Sequence, residues 1–339
     1  MSRKMRVTLA LSIIALFGTL LMACGNDKDN NAVSSASAPA ADPTPTTTAS
    51  ASASETAEAP ASERKMTDYM GHEVEIPVSP QRVIFVGETF SDLFVLDVKA
   101  VGTSTSMAAD TVYEDRIAGI EDVGFPINLE KTTSLKPDLI IIADTDEKAY
   151  EQLTKIAPTI MFDTFAPLED RLLLLGDILG KKPQAEQWLA DYTKQEEQLW
   201  TDLRAAGLKP GETASVFTYY PGDRLFVMAR TGLSQVLYSP NGLKPTDRIQ
   251  QVLDANSGFE QISTELLPEY AGDRIFILNP YAELTDAVQS TEELLQSRIW
   301  LDLPAVKAGN VYRLDIKSSG SDALSRQWLL EELPKLMAK

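Results

Sequence analysis

Residues 183–207 read PQAEQWLADYTKQEEQLWTDLRAAG. Pro183 suits a first helical turn, where its missing N–H is not needed. Ala185, Trp188, Leu189, Tyr192, Leu199 and Leu203 then fall on or near one face at helical spacing. A helix of about 24 residues rises roughly 36 Å, long enough to run the length of a small domain. The sequence on either side has a different rhythm. Upstream, RVIFV, AVGTS, KPDLIIIAD and PTIMFD read as short buried strands, with helices at SDLFVLD, NLEKTTSL, EKAYEQLTKIA and PLEDRLLLLGDILG. Downstream, TASVFTYY, RLFVMA, RIFIL and NVYRLD are strands, with helices at LSQVLYSP, TELLPEYA, TEELLQSRIW and ALSRQWLLEELPKLM. Continuous apolar strands alternating with helices indicate mostly parallel sheets covered on both faces. Residues 183–207 are therefore predicted to join two α/β lobes, residues 66–182 and 208–339. Trp188, Trp200, Trp300 and Trp328 lie at core-like spacings on the predicted helices.

The chain opens differently. MSRKMR carries Arg3, Lys4 and Arg6, and TLALSIIALFGTLLMA continues as an apolar run ending at Cys24, the sole cysteine. Basic, apolar and small residues in that order make a secretory signal over residues 1–23, and the run is shorter than the ~20 residues a spanning helix needs. One cysteine makes neither a disulfide nor a multi-thiolate site. Leu21-Met22-Ala23-Cys24-Gly25 resembles the bacterial lipobox, which implies lipidation at Cys24 and attachment to the membrane through that lipid. Residues 24–65 are almost entirely Ala, Ser, Thr, Pro and acidic residues, so they cannot bury enough surface to order and are predicted as a tether. An S-x-x-K at Ser62–Lys65 falls at the end of this tether, out of reach of any fold that would make it a nucleophile.

Composition narrows the chemistry. A net charge of −18 argues against nucleic acid and against anionic lipid headgroups. His72 is the sole histidine, placed in a predicted hairpin over MTDYMGHEVEIPV and read as an exposed turn residue. One histidine cannot build the His-rich sites of zinc receptors. A Ser-His-Asp hydrolase is as poorly served, and no G-x-S-x-G elbow occurs. No P-loop occurs either.

Several phrases resemble one family in its own order. These are D-x-x-G-x-x-V-x-I-P at Asp68–Pro77, SPQRVIFV, VGFPINLEKTTSLKPDLIII, KIAPTI, GFEQISTELL and IWLDLPAVKAGNVYRLD. Together they cover about residues 66–338 and are similar to the iron-siderophore and vitamin B12 class of ABC-transporter substrate-binding lipoproteins. The resemblance implies two Rossmann-like α/β lobes joined by one long interlobe helix, with the ligand in the cleft between them and no catalysis. It implies a monomeric extracytoplasmic receptor with no cofactor of its own. Such a receptor captures a ferric-siderophore chelate and delivers it to an ABC permease dimer driven by a cytoplasmic ATPase. It also implies an acidic docking residue on each lobe, here Glu130 and Glu265.

Ligands of open α/β sheets sit beyond the strand carboxyl ends. The corresponding loops contain Thr89, Tyr219, Tyr220, Arg224 and Arg230, with Arg116 in the nearby TVYEDR. Arginine presents a planar, permanently charged fork to oxyanions, so Arg230 and Tyr219, with Arg116 opposite, are predicted to contact the chelate's iron-binding oxygens. Hydroxamate-binding relatives commonly carry aromatics where this chain reads MARTG and KSSGSD. A carboxylate-type siderophore or a small polar chelate is thus as plausible as a hydroxamate. A haem or corrinoid receptor is the alternative within the class, since tyrosine can ligate haem. A surface-anchored enzyme is the remaining alternative.

Overall fold

The protein is seen in a computed structural model that describes residues 62–280 and 284–338. The signal segment, Cys24 and the tether as far as residue 61 lie outside the described residues. Both lobes belong to one compact unit, Glu58–Lys339.

A hairpin of β1 (Glu63–Thr67) and β2 (Glu73–Pro77) leads in. β1 takes in residues that composition had assigned to the tether. Glu63, Arg64 and Lys65 alternate with their neighbours as an exposed strand must, and the backbone ladder to β2 holds them without a run of large apolar residues. Five parallel strands follow in the order β5-β4-β3-β6-β7: β3 (Val83–Val86), β4 (Gly102–Thr103), β5 (Glu121–Asp122), β6 (Leu139–Ile142) and β7 (Thr159–Met161). They alternate with α1 (Asp92–Val95), α2 (Thr105–Ala108), α3 (Leu129–Ser134), α4 (Glu147–Leu153) and α5 (Leu168–Ile178). Alternate residues divide between two cores. Val83, Phe85, Leu139 and Ile141 meet α1 and α5, while Ile84, Val86, Ile140 and Ile142 face Leu153 of α4 and its surroundings.

α6 (Lys182–Ala205) is the predicted connector. Ala185 enters the first-lobe core, Leu199, Trp200 and Leu203 enter the second, and Trp188 and Leu189 touch both. One rigid element is thus cemented into both lobes. Trp200 and Trp300 are buried, and Trp188 and Trp328 pack half-buried against the core.

The second lobe is mixed. Its strands are β8 (Thr213–Tyr220), β9 (Arg224–Met228), β10 (Lys244–Pro245), β11 (Phe259–Ile262), β12 (Arg274–Asn279) and β13 (Val311–Asp315). The order is β11-β9-β8-β12-β13, with β8, β12 and β13 parallel, β9 antiparallel to β8, and β10 parallel beside β8. α7 (Gly232–Leu237), α13 (Ala323–Met337) and the end of α6 cover one face. α8 (Asp247–Asp254), α9 (Leu267–Tyr270), α10 (Thr285–Gln296), α11 (Arg298–Leu301) and α12 (Pro304–Lys307) occupy the other side. Among the described residues no helix is long and apolar enough to cross a membrane.

Candidate functional site

The start of α1 brings Ser91 and Asp92 to the lobe junction, and the start of α13 meets them from the other lobe. Ala323 N–H donates to Asp92 Oδ1 at 2.8 Å, Leu324 N–H donates to Ser91 Oγ at 3.1 Å, and the Ser91 hydroxyl donates to Asp322. Arg171 of α5 completes the joint. Its Nε donates to Asp92 Oδ2 at 2.7 Å, and its other nitrogens reach the carbonyls of Ala166 at 3.0 Å and Ser321 at 2.7 Å. Both side chains of the Arg171–Asp92 pair are 0% exposed. Burial pushes the Asp322 carboxyl above its ordinary range, against the opposing pull of Ser325 and Ser91. Asp110 and Lys317 form a further ion pair between the lobes.

Beside this joint lies a cavity of about 680 Å³ between the start of α5, the middle of α6 and residues 229–240. That volume falls within the roughly 300–1,000 Å³ usual for ligand pockets. Its walls include Leu168, Leu189, Tyr192, Arg230, Gln235 and Arg326. Arg326 donates to Tyr192 Oη at 3.2 Å and also to Gln235. Burial pushes the Tyr192 phenol up to about 12, so it stays protonated.

The predicted ligand residues separate. Arg230 lines this cavity, half-buried, and donates to Asn256 Oδ1. Thr89 is buried at the junction and its hydroxyl has no partner among the described residues, as is true of Thr231 beside Arg230. A buried hydroxyl left unpaired is costly, and both hydroxyls are buried without a partner among the described residues. Tyr219 and Tyr220 end β8, where Tyr219 Oη donates weakly to Asp223 at 3.5 Å. Arg224 donates to the Pro221 carbonyl at 3.0 Å, lies over the Tyr220 ring, and with Tyr220 borders a second cavity of about 330 Å³. Arg116 is exposed and stacks on Phe94, 4.5 Å from its centroid.

Arg230 and Tyr219 lie apart. Tyr220 pairs with Arg224 across the β8–β9 turn, so β9 carries Arg230 back to the opposite end of the sheet. The short Pro221–Asp223 turn was the signal, because three residues cannot make a parallel crossover. Arg171 was missed as well, although it falls on the same helical face as Leu168, Leu172 and Leu175. An arginine inside such an apolar stripe calls for a buried carboxylate, and Asp92 supplies it.

His72 also departs from expectation. Its ring bonds Asp68 at 3.0 Å and Glu147 at 3.1 Å and stacks on Tyr150 with centroids 4.0 Å apart. The histidine pins the hairpin to α4 and is not an idle turn residue. Glu130 and Glu265 are exposed in the first turns of α3 and of a short 3₁₀ segment over Thr264–Leu266.

The sequence pattern of the periplasmic binding proteins matches residues 88–317, which takes in the connector and most of both lobes. The chain belongs to that family. Members of this family bind substrates and do not convert them. The iron(3+)-hydroxamate-binding protein YxeB of Bacillus subtilis is 31% identical over 72% of this chain and 76% of its own. A probable siderophore-binding lipoprotein of the same organism, YfiY, is 26% identical over 81% of this chain and 88% of its own. Among solved structures, Staphylococcus aureus SirA complexed with staphyloferrin B superposes with a TM-score of 0.71 at 29% identity, covering 81% of this chain and 98% of SirA.

Proposed function

We infer that this periplasmic binding protein is the extracytoplasmic receptor of an ABC importer, which captures a ferric siderophore and hands it to the membrane permease. The observation that carries the reading is the family match across the connector and most of both lobes, in a chain similar to SirA, itself solved with staphyloferrin B. Arg230 and Thr89 are proposed as chelate contacts on separate grounds. Arg230 stands in a cavity wall, and Thr89 keeps an unused buried hydroxyl. Arg116, Tyr219, Tyr220 and Arg224 remain proposed contacts at the rims.

The finer assignments follow the same reading. Cys24 carries the lipid anchor, consistent with the name of YfiY. Glu130 and Glu265 dock one on each permease subunit, with a cytoplasmic ATPase driving transport. Receptor-deleted cells supplied with radioactive iron as ferric hydroxamates or ferric staphyloferrin B test the whole reading. Re-expressed wild type should restore uptake of at least one chelate. Glu130→Ala with Glu265→Ala should lower uptake while leaving chelate binding intact. Unchanged iron uptake in the deleted cells across the whole panel would remove the receptor assignment.

A further inference from the structure

The two proposed docking glutamates sit in matching stretches of sequence, GFPINLE at 124–130 and GFEQISTE at 258–265. Each stretch opens with Gly-Phe at an edge strand of its lobe's sheet. Phe125 follows β5, the edge of the first sheet, and Phe259 begins β11, the edge of the second. Both rings are turned outward, Phe125 63% exposed and Phe259 52% exposed. An exposed leucine adjoins each carboxylate, Leu129 before Glu130 and Leu266 after Glu265. Neither glutamate has a hydrogen-bond or ion-pair partner among the described residues.

The backbone under each phenylalanine is fixed. Gly124 has φ +80° and donates to Asp122 Oδ1 at 3.0 Å, and Asn128 N–H closes the loop on the Val123 carbonyl at 2.7 Å. In the second lobe the Gly258 carbonyl accepts from both Ala229 and Arg230 N–H at 2.9 Å, and Phe259 rests edge-on against Phe226, 5.8 Å between centroids. These side chains are thus presented by rigid edges.

We propose that Phe125 with Leu129 and Phe259 with Leu266 are paired apolar anchors that, together with Glu130 and Glu265, dock the receptor onto the two subunits of its permease. This rests on the reading of the chain as an ABC-importer receptor. An exposed carboxylate alone makes a weak, salt-screened contact, whereas aromatic anchors beside charged groups supply the desolvated centre of a stable interface. Duplication of the whole pattern, one copy per lobe, fits a partner with two like faces. The unpaired acids on a chain of net charge −18 require those faces to be basic.

Photo-crosslinking in intact cells tests the proposal. A benzoylphenylalanine is placed singly at positions 125, 259, 130 and 265 of the full-length chain, and crosslinked products are identified by mass spectrometry. All four positions should capture a permease subunit of an ABC transporter. Phe125→Ser with Phe259→Ser should cut the yield from position 130 by fivefold or more while leaving the circular dichroism spectrum unchanged. Permease capture from 130 and 265 but not from 125 and 259 would overturn the apolar anchors and leave the receptor reading standing. Capture from one lobe only would overturn the duplication. Capture of a second copy of the receptor, of lipid alone, or of nothing at any position would overturn both.

Discussion

Arg171 carries its charge to a place without solvent and finds there one carboxylate and three carbonyl oxygens. Removing one partner of such a buried pair strands the other, which typically costs about 3–5 kcal/mol. Asp92→Ala should therefore lose that much stability in urea unfolding, and adding Arg171→Met should recover a large part of it. A loss below about 1 kcal/mol would place the pair among surface bridges. His72 sets a pH dependence. Its hydrogen bond to Asp68 raises its pKa above the ordinary histidine value, with Glu147 adding to the effect. The folded state then holds the proton more tightly than the unfolded chain. The stabilisation is complete below the unfolded pKa of about 6.5 and is lost as pH rises through the folded value. Asp68 runs the other way. Burial would raise it, but the bonds from His72 and Met161 prevail and lower it, so its contribution is present above the ordinary carboxylate pKa and fades in acid. Melting temperature should fall in wild type as pH rises above about 6.5, and His72→Gln should flatten that fall. An unchanged slope in the variant would contradict the latch. The single-histidine count was legible in the sequence; the partners were not, because Glu147 is 75 residues away and meets His72 only in the fold.

At the scale of elements, α7 and the loop after β13 touch backbone to backbone. A Cβ on Gly232 would lie 1.9 Å from the Ser319 carbonyl oxygen and 2.0 Å from that of Gly320. Neither neighbour is a flexible side-chain tip, so the backbone must move. Overpacking of this kind costs about 1–3 kcal/mol or more, and Gly232→Ala should show it as a lower denaturation midpoint. It should also weaken chelate binding, since the same loop carries Lys317 and meets Ser91 through Asp322. Wild-type stability in Gly232→Ala would deny the close approach. Most elements were legible because the apolar periods are long and clean, as in LIII of β6, which is buried at every residue. β11 was not, because FEQI exposes three of its four residues and lies at an edge, where pairing and not burial makes the strand. The direction of β9 was hidden behind the general β/α rhythm, and with it the true position of Arg230.

At the scale of the whole described chain, the two lobes are bolted together by α6 and by the Ser91–Asp92–Arg171–Asp322 joint. A helix shared by both cores resists hinge bending more than flexible strands would, so ligand should move the lobes little. Small-angle scattering with and without chelate should give radii of gyration within about 1 Å of each other, and a large contraction would mean that the joint opens. On the proposed function, the ligand that the protein binds is a ferric siderophore. Trp188, stacked 5.2 Å from Tyr192 in the cavity wall, gives a native optical probe. The purified protein is titrated with ferric hydroxamates, ferric staphyloferrin B, haem and cobalamin while tryptophan emission is followed. Saturable one-to-one quenching by at least one ferric siderophore is expected, abolished when the chelator is supplied without iron. Saturable binding of haem or cobalamin, with no response to any ferric siderophore, would contradict the proposed function.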